Sequence, residues 1–310
     1  MAIVSRGIQS MVVSSLAFST MAALVKLASP HIPNQEIVAL RSLASLIPLA
    51  LLMRWRGIPL KAKRPGLLFL RGTFGYVAIS CWFVSLKELN LSDAVMIQYT
   101  SPVFVALLAP LVLKEPSARK DRVALGVALL GVALVVRPGL GLSATGALIG
   151  LTGALSSACG YLSVRVLRHS EHPLLLMISF PTVASVLAVG VSFGQWVMPD
   201  IEGWILLAGI GLTTVIGQVF LTFGLMWENA GPATVATYFA VVVSIILGIF
   251  MFGQWPDLPM ILGAALVIGA VVTLAISTRR PAPPPAGAGA SRNMPDKDHE
   301  AAAARLSRMG

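Results

Sequence analysis

The feature that most constrains this chain is a series of apolar segments, most of them long enough to cross a bilayer as a helix. A transmembrane helix needs about 20 mostly apolar residues. Backbone polar groups in lipid must be satisfied internally, which favours helices. We therefore predict an all-α membrane protein with ten transmembrane helices. The predicted spans cover approximately residues 7–28, 35–53, 67–87, 94–113, 123–137, 146–166, 173–195, 204–226, 232–253 and 258–278.

The composition agrees with a surface that faces lipid. Hydrophobic residues make up 56% of the 310 and charged residues only 12%, about half of what a soluble domain carries. The two cysteines, Cys81 and Cys159, lie inside apolar segments, and the four histidines lie in loops or the tail. That distribution predicts no disulfide framework, no metal site and no cofactor, because a zinc site alone needs three or four ligands.

The positions of the basic residues predict the orientation. With the N-terminus in the cytoplasm, 18 of the 23 Lys and Arg residues fall on the inner side, and only Lys87 and Arg137 fall in outer loops. The positive-inside rule therefore predicts both termini in the cytoplasm. It also assigns the net charge of +10 to the inner membrane surface rather than to nucleic acid. We expect a multi-pass protein of a bacterial inner (plasma) membrane, with an uncleaved first span.

An internal repeat divides the chain. Shifting the chain along itself so that Tyr99 aligns with Tyr238 reveals the repeat. The same offset aligns Asn90 with Asn229 and Glu115 with Gln254, and it gives six identities over residues 86–115. We call this offset the repeat shift. Five spans per repeat is an odd number, so the second copy must enter the membrane inverted. Inverted repeats carry a site at their interface near the midplane and support alternating access.

The repeat sets the domain boundaries. We predict a first repeat at 1–138 and a second repeat at 139–278, each with five spans. The remaining residues, 279–310, are rich in Pro, Ala and Gly at their start and polar thereafter. A segment of this composition cannot bury a core, so we predict a disordered cytoplasmic tail.

Three motifs carry a family resemblance. The stretch Asn90-Leu-Ser-Asp-Ala94, then Thr100-Ser-Pro102 and Leu113-Lys-Glu115, together with the second copy ending Gly253-Gln-Trp-Pro256, resembles the paired EamA domains of the drug/metabolite transporter superfamily. The resemblance implies a basket of ten helices in which spans one to four and six to nine surround a cavity. The family pattern often has an acidic residue after Gly at the end of the fourth span of each repeat, and Gln254 departs from it.

Three cations lie within spans, where charge is costly. Lys26 ends a small and polar face of the first span (Ser15, Ser19, Ala22), and it either contacts substrate or snorkels to water. Arg41 lies about 8 Å inside the second span. It either binds a carboxylate or phosphate of the substrate or forms a structural ion pair with Glu36 or an acidic residue of an outer loop. Arg71 lies near the inner boundary, where anchoring by the positive-inside rule is favoured.

Polar and aromatic side chains supply the remaining candidates for substrate binding. Each of them either lines a cavity or fills the core between helices. Pro102 removes a backbone hydrogen bond from the fourth span and so exposes a carbonyl beside Gln98. The other candidates are Trp82, Tyr99, Tyr161, Gln218 and Tyr238.

These features favour one class of function over two others. We expect a secondary transporter that moves a small organic metabolite, bearing a carboxylate or phosphate, by alternating access; a broad-specificity exporter is the alternative. A membrane-embedded enzyme would need clustered catalytic side chains, and a channel would need a repeated polar ring. The sequence shows neither pattern. The expected partners are the metabolite and the lipid bilayer, with a homodimer left open.

Overall fold

A computed structural model describes residues 6–113, 119–136, 143–167, 170–194, 196–227 and 236–277. Within these ranges the protein is all-helical, without β-strands. The predicted tail at 279–310 lies outside the described residues. Eleven helices are described: α1 (Arg6–Ala28), α2 (Asn34–Trp55), α3 (Pro65–Glu88), α4 (Leu91–Gln98), α5 (Ser101–Leu113), α6 (Arg119–Val136), α7 (Ala144–Leu167), α8 (Pro173–Val191), α9 (Ile201–Trp227), α10 (Phe239–Phe252) and α11 (Leu258–Ser277).

Seven helical segments in the described part of the chain are long and apolar enough to cross a membrane. They correspond to predicted spans one to four and six to eight, with α4 and α5 together forming the fourth, Leu91–Val112. Three shorter apolar helices, Val123–Val135, Phe239–Phe252 and Leu258–Thr273, fall where spans five, nine and ten are predicted. The protein is therefore a multi-pass membrane protein, and the count of ten stays a prediction.

The fourth span is interrupted, which the hydropathy pattern does not reveal. Helix α4 ends at Gln98, and α5 begins at Ser101 after a turn at Tyr99 and Thr100. Pro102 has no N–H to donate to the carbonyl of Gln98, so the helical ladder lacks a bond at this point. The Thr100 backbone N–H and hydroxyl instead both donate to the Ile97 carbonyl, at 3.1 and 2.6 Å. The break leaves Tyr99 and its carbonyl outside the regular helix.

The helices of the first half pack against those of the second half in exchanged pairs. Helix α1 packs on α9 and α3 packs on α7, while α2 packs on α8. Helix α3 contacts α8, and α2 contacts α9. When the two halves are interchanged by the repeat shift, α1 becomes α7, α2 becomes α8 and α3 becomes α9. The same set of contacts is then recovered, so the packing follows the repeat.

Buried serines of α1 join it to the second half. The hydroxyl of Ser14 donates to the Gly217 carbonyl at 2.9 Å, and that of Ser19 donates to the Ala240 carbonyl at 2.9 Å. Ser15 donates to the Thr237 carbonyl at 3.3 Å. The small and polar residues on this face of α1 indicated that either a substrate or another helix packs closely against it. In this structure α9 and α10 pack against it.

Candidate functional site

Arg41, on α2, lies in the packed interior with only 6% of its surface exposed. Its guanidinium lies over the rings of Phe83 and Phe180, at 5.9 and 5.7 Å from their centroids. The Nε–H donates to the Met21 sulfur at 3.4 Å, a weak acceptor. Ring faces stabilise a cation by about 0.5–2 kcal/mol each, which is well below the cost of removing the charge from water.

The Arg41 guanidinium lacks an anionic partner among the described residues. Its Nη1 atom is buried without a hydrogen bond there. Glu36, the alternative partner raised by the sequence, is only 1% exposed, and its Oε2 accepts from the Val197 N–H at 3.2 Å. Glu36 therefore ties the start of α2 to the segment before α9 and forms no ion pair with Arg41. A charged, forked donor is left available to an anion.

Phe180, on α8, is the residue against which Arg41 stacks, and the sequence analysis did not single it out. The repeat shift that carries Tyr99 onto Tyr238 also carries Arg41 onto Phe180, so the two residues hold equivalent positions in the two copies. Helix α8 packs closely against α3 at two glycines of α3, Gly72 and Gly75. A Cβ on Gly72 would lie 2.8 Å from the Ser179 carbonyl oxygen, and one on Gly75 would overlap the Phe180 ring. The two glycines thus allow Phe180 to lie directly on α3.

Arg71, on α3, lies over the same Phe180 ring, with its Cζ atom 5.8 Å from the centroid. It is half-buried, and its Nε atom is buried without a hydrogen-bond partner in the described part of the chain. Gly160, on α7, lies beside its Nη1 atom. Sequence position favours an anchoring role at the inner boundary, and this role stays a prediction. In the structure Arg71 lies over the same aromatic ring as Arg41.

Three tyrosines are candidates for substrate binding, and two of them contact each other. The Tyr238 hydroxyl donates to the Tyr99 carbonyl at 2.9 Å, and the two rings are 5.6 Å apart. Tyr161, on α7, has 55% of its surface exposed. Its phenol therefore lies largely at the surface of the bundle.

Gln98 and Trp82 carry polar atoms that find no partner within the described ranges. Gln98 Nε2 donates to the Ser157 hydroxyl at 2.8 Å, which ties α4 to α7, while Oε1 is buried and unbonded. The Trp82 Nε1 atom is also buried and unbonded, and its ring packs on Phe83 at 5.8 Å. Such groups are costly to leave unpaired, so each is a donor or acceptor available to a polar ligand.

Lys26 and Gln218 are engaged by neighbouring groups. The Lys26 ammonium donates to the carbonyls of Leu86, at 2.8 Å, and Leu89, and lies over the Phe252 ring. A cation at the carbonyl end of a helix interacts favourably with the helix dipole, so these contacts with the end of α3 account for the charge without a ligand. Gln218, on α9, is half-buried and also interacts with a neighbouring residue.

Gln254, the residue that departs from the family pattern, has a structural contact. Its Oε1 accepts from the Leu91 N–H at 2.9 Å, at the start of α4. A free N–H at a helix start needs an acceptor, and the neutral amide supplies one. Glu115, its equivalent in the first copy, lies outside the described residues.

A helical bundle with seven membrane-length segments in its described part belongs to the class of polytopic membrane proteins. Residues 5–137 and 144–276 each match the model of the EamA-like transporter family. The offset between the first residues of the two matches equals the repeat shift. Together they cover most of the chain. The protein therefore belongs to the EamA-like transporter family, which confirms the resemblance to drug/metabolite transporters.

Known relatives agree with this assignment. The pseudopaline exporter CntI of Pseudomonas aeruginosa is 32% identical over 270 residues, which cover 86% of this chain and 95% of the exporter. The riboflavin transporter of Brucella anthropi is 25% identical over 238 residues, covering 75% of this chain and 84% of that protein. Human solute carrier family 35 member G1 is 31% identical over 226 residues, 67% of this chain and 62% of the relative. The family and these relatives are transporters rather than enzymes.

A solved crystal structure resembles the fold, with a TM-score of 0.61 at 17% sequence identity. The match covers 89% of this chain and the whole of that chain. At this identity the likeness concerns the fold alone.

Proposed function

We propose that this protein is a secondary transporter that moves a small organic metabolite, bearing a carboxylate or phosphate, out of the cell across the bacterial inner membrane. The single observation that carries the substrate class is Arg41. Its guanidinium is buried among Phe83, Phe180 and Met21, and no carboxylate pairs with it among the described residues. The proposed direction of transport, out of the cell, rests on the similarity to an exporter. That similarity covers nearly the whole length of the exporter.

The energetics of Arg41 support a ligand rather than a structural role. Burial of an ionised side chain costs several kcal/mol unless a partner compensates, and even the insertion scale sets about 2.5–3.5 kcal/mol for Arg at mid-bilayer. A fold that only needed to fill this space would be more stable with an apolar side chain of similar volume. A bound anion compensates the charge through a two-point contact that guanidinium geometry favours.

Alternating access is supported by the exchanged packing of the two halves. The two family matches begin at residues 5 and 144, an offset equal to the repeat shift. Two contacting pairs, Arg41 with Phe180 and Tyr99 with Tyr238, join positions that the same shift relates, as expected of residues beside a pseudo-two-fold axis. If each repeat has the predicted five spans, that axis lies in the membrane plane and both pairs lie near the midplane.

The predicted orientation supplies a route for the metabolite. Phe83 covers the guanidinium on one side and lines a pocket with residues 29–34, Lys87 and Val197. These residues belong to the predicted outer side. Tyr161, whose phenol is largely exposed, lies toward the predicted inner surface. In this account the metabolite enters past Tyr161 and Arg71, reaches Arg41, and leaves past Phe83. The same orientation has both termini in the cytoplasm.

A binding screen tests this function. Detergent-solubilised wild-type protein and the Arg41→Gln variant are heated with a library of metabolites, since a ligand that binds the native state raises the apparent melting temperature. Organic anions should stabilise the wild type and not the variant. Hits are then supplied, radiolabelled, to inverted membrane vesicles, where they should accumulate unchanged. Stabilisation only by neutral or cationic compounds, or equal stabilisation of both proteins by anions, would contradict the proposed substrate class.

A further inference from the structure

Two guanidinium groups from different helices share one aromatic ring. The Cζ atoms of Arg41 and Arg71 lie 5.7 and 5.8 Å from the Phe180 centroid. The two Cζ atoms are therefore at most about 11.5 Å apart. Arg41 comes from α2, Arg71 from α3 and Phe180 from α8. The group therefore joins two helices of the first repeat to one of the second.

Neither cation is neutralised by the protein in the described ranges. Arg41 Nη1 and Arg71 Nε are both buried without a hydrogen-bond partner there. Two like charges that share one aromatic ring repel each other, so the ring stabilises them only in part.

The local packing fixes this arrangement. Gly75 has no side chain, and a Cβ there would overlap the Phe180 ring and lie 3.0 Å from Arg71 Nη1. Gly160, on α7, lies beside the same atom, and a Cβ there would be in ordinary van der Waals contact with it at 3.9 Å. Of the two glycines, Gly75 is therefore the one that allows Arg71 and Phe180 to lie together.

We propose that the transported metabolite carries two separate anionic groups, one bound by Arg41 and one by Arg71, with its organic spacer against Phe180. This inference rests on the proposed function and narrows the substrate class from an anion to a dianion of the dicarboxylate type. A planar carboxylate matches the forked donors of each guanidinium. An apolar spacer suits the ring face between them, because an aromatic side chain there offers no hydrogen bond to a polar spacer.

Such a ligand also explains why both cations are retained. Each carboxylate neutralises one guanidinium and removes the repulsion between the two. A compound with only one anionic group leaves the second guanidinium buried and uncompensated. Discrimination between dianions and monoanions therefore follows from the protein's own charge arrangement. Arg41 and Arg71 come from the first repeat and Phe180 from the second, so a ligand bound by this group contacts both repeats.

The test measures binding of a matched probe series to the full-length protein in detergent at constant ionic strength. The probes are the α,ω-dicarboxylates from succinate to suberate and their monomethyl esters, which keep the length and remove one charge. Isothermal titration and thermal shift are recorded for wild type, Arg41→Gln, Arg71→Gln and Arg54→Gln. Arg54 is an exposed arginine on α2, outside the site, and serves as the matched control. Melting without ligand verifies folding, and Arg71→Met, which also removes the charge, replaces Arg71→Gln if that variant does not fold.

The expected result is that at least one diacid length binds wild type and Arg54→Gln at least tenfold more tightly than its monomethyl ester. In Arg71→Gln the preference should fall to about threefold or less, while binding of the monoester through Arg41 persists. A preference for diacids that survives in Arg71→Gln, or equal binding of diacids and monoesters to wild type, would overturn the two-anion inference.

The same data separate the inference from the proposed function. Monoester binding that depends on Arg41, with no preference for diacids, would reject the two-anion site and leave an anion transporter in place. If no probe in the series stabilises the protein, the proposed dicarboxylate class is overturned. The thermal-shift screen of the metabolite library then tests the broader function. Anion binding that is unaffected by Arg41→Gln would contradict both.

Discussion

The hydroxyl of Tyr238 donates a hydrogen bond of 2.9 Å to the carbonyl of Tyr99, and the two rings lie 5.6 Å apart at 54°. The two residues occupy equivalent positions in the two copies of the repeat. Tyr99 lies at the break between α4 and α5, and Tyr238 lies at a turn immediately before α10. Each copy therefore interrupts its helix at the same tyrosine, and the two interruptions meet. The break leaves the Tyr99 carbonyl free of the regular ladder, and Tyr238 satisfies it.

This contact predicts a stability effect. Tyr238→Phe keeps the ring and removes the hydroxyl, which leaves the Tyr99 carbonyl without its donor. A lost neutral hydrogen bond costs about 0.5–1.5 kcal/mol, so the variant should melt at a lower temperature in detergent. Tyr161→Phe is the matched control, because that side chain is largely exposed. Equal melting temperatures for wild type and Tyr238→Phe would show that the contact contributes nothing.

Lys26 is predicted to act on folding rather than on substrate. Its ammonium donates to the carbonyls of Leu86 and Leu89 at the end of α3. Lys26→Met keeps the length of the side chain and removes these bonds together with the favourable interaction with the helix dipole, at a cost of about 1 kcal/mol. Melting temperature should fall, and affinity for an anion that binds at Arg41 should change less than twofold. A tenfold loss of affinity with unchanged melting would assign Lys26 to the substrate site instead.

Gly75 is predicted to hold the place of Phe180. Gly75→Ala puts a methyl group into the space that the Phe180 ring occupies, so the ring must move away from α3 and from Arg71. We expect weaker anion binding and lower stability, in spite of the gain of up to about 1 kcal/mol that Ala brings to a helix. Gly66→Ala, on the same helix with open space around it, should show neither effect. Identical behaviour of the two variants would contradict the close packing of Phe180 on α3.

The orientation is tested by labelling single cysteines from each side of the membrane. Cysteines are introduced at Gly141 and at His172 in a background that lacks Cys81 and Cys159. The distribution of Lys and Arg predicts that Gly141 reacts with a membrane-impermeant maleimide from the periplasm and that His172 reacts only after the cells are opened. Reaction of both positions from the periplasm would exclude the ten-span topology.

Hydropathy and charge predicted the all-helical membrane class, because lipid restricts which segments can span it, and the repeated motifs indicated the family. An arginine inside an apolar span is unexpected on energetic grounds, which drew attention to Arg41. Phe180 and Phe83 escaped prediction, because a phenylalanine in an apolar segment carries no signal that separates a ring beneath a cation from ordinary core. One signal for Phe180 was available: the repeat shift that matched Tyr99 to Tyr238 also matches Arg41 to Phe180.

Depth in the membrane alone could not assign the three intramembrane cations. Lys26 and Arg41 lie at similar distances from the first outer turn, yet Lys26 meets two backbone carbonyls and Arg41 meets aromatic rings and a sulfur. That difference depends on which helix packs alongside, and it appears only when the two halves are brought together. For Arg71, the position at the inner boundary suggested anchoring, whereas its side chain lies over Phe180.

The most direct measurement for the central claim compares wild type with Arg41→Met by melting temperature, with and without an anionic ligand from the screen. Methionine fills a similar space without charge. If Arg41 is held for substrate, removing an unpaired buried charge should raise the melting temperature of the ligand-free protein and abolish the stabilisation by ligand. A lower melting temperature with the ligand-induced shift intact would contradict the account, because it would make Arg41 a structural residue rather than the anion-binding group.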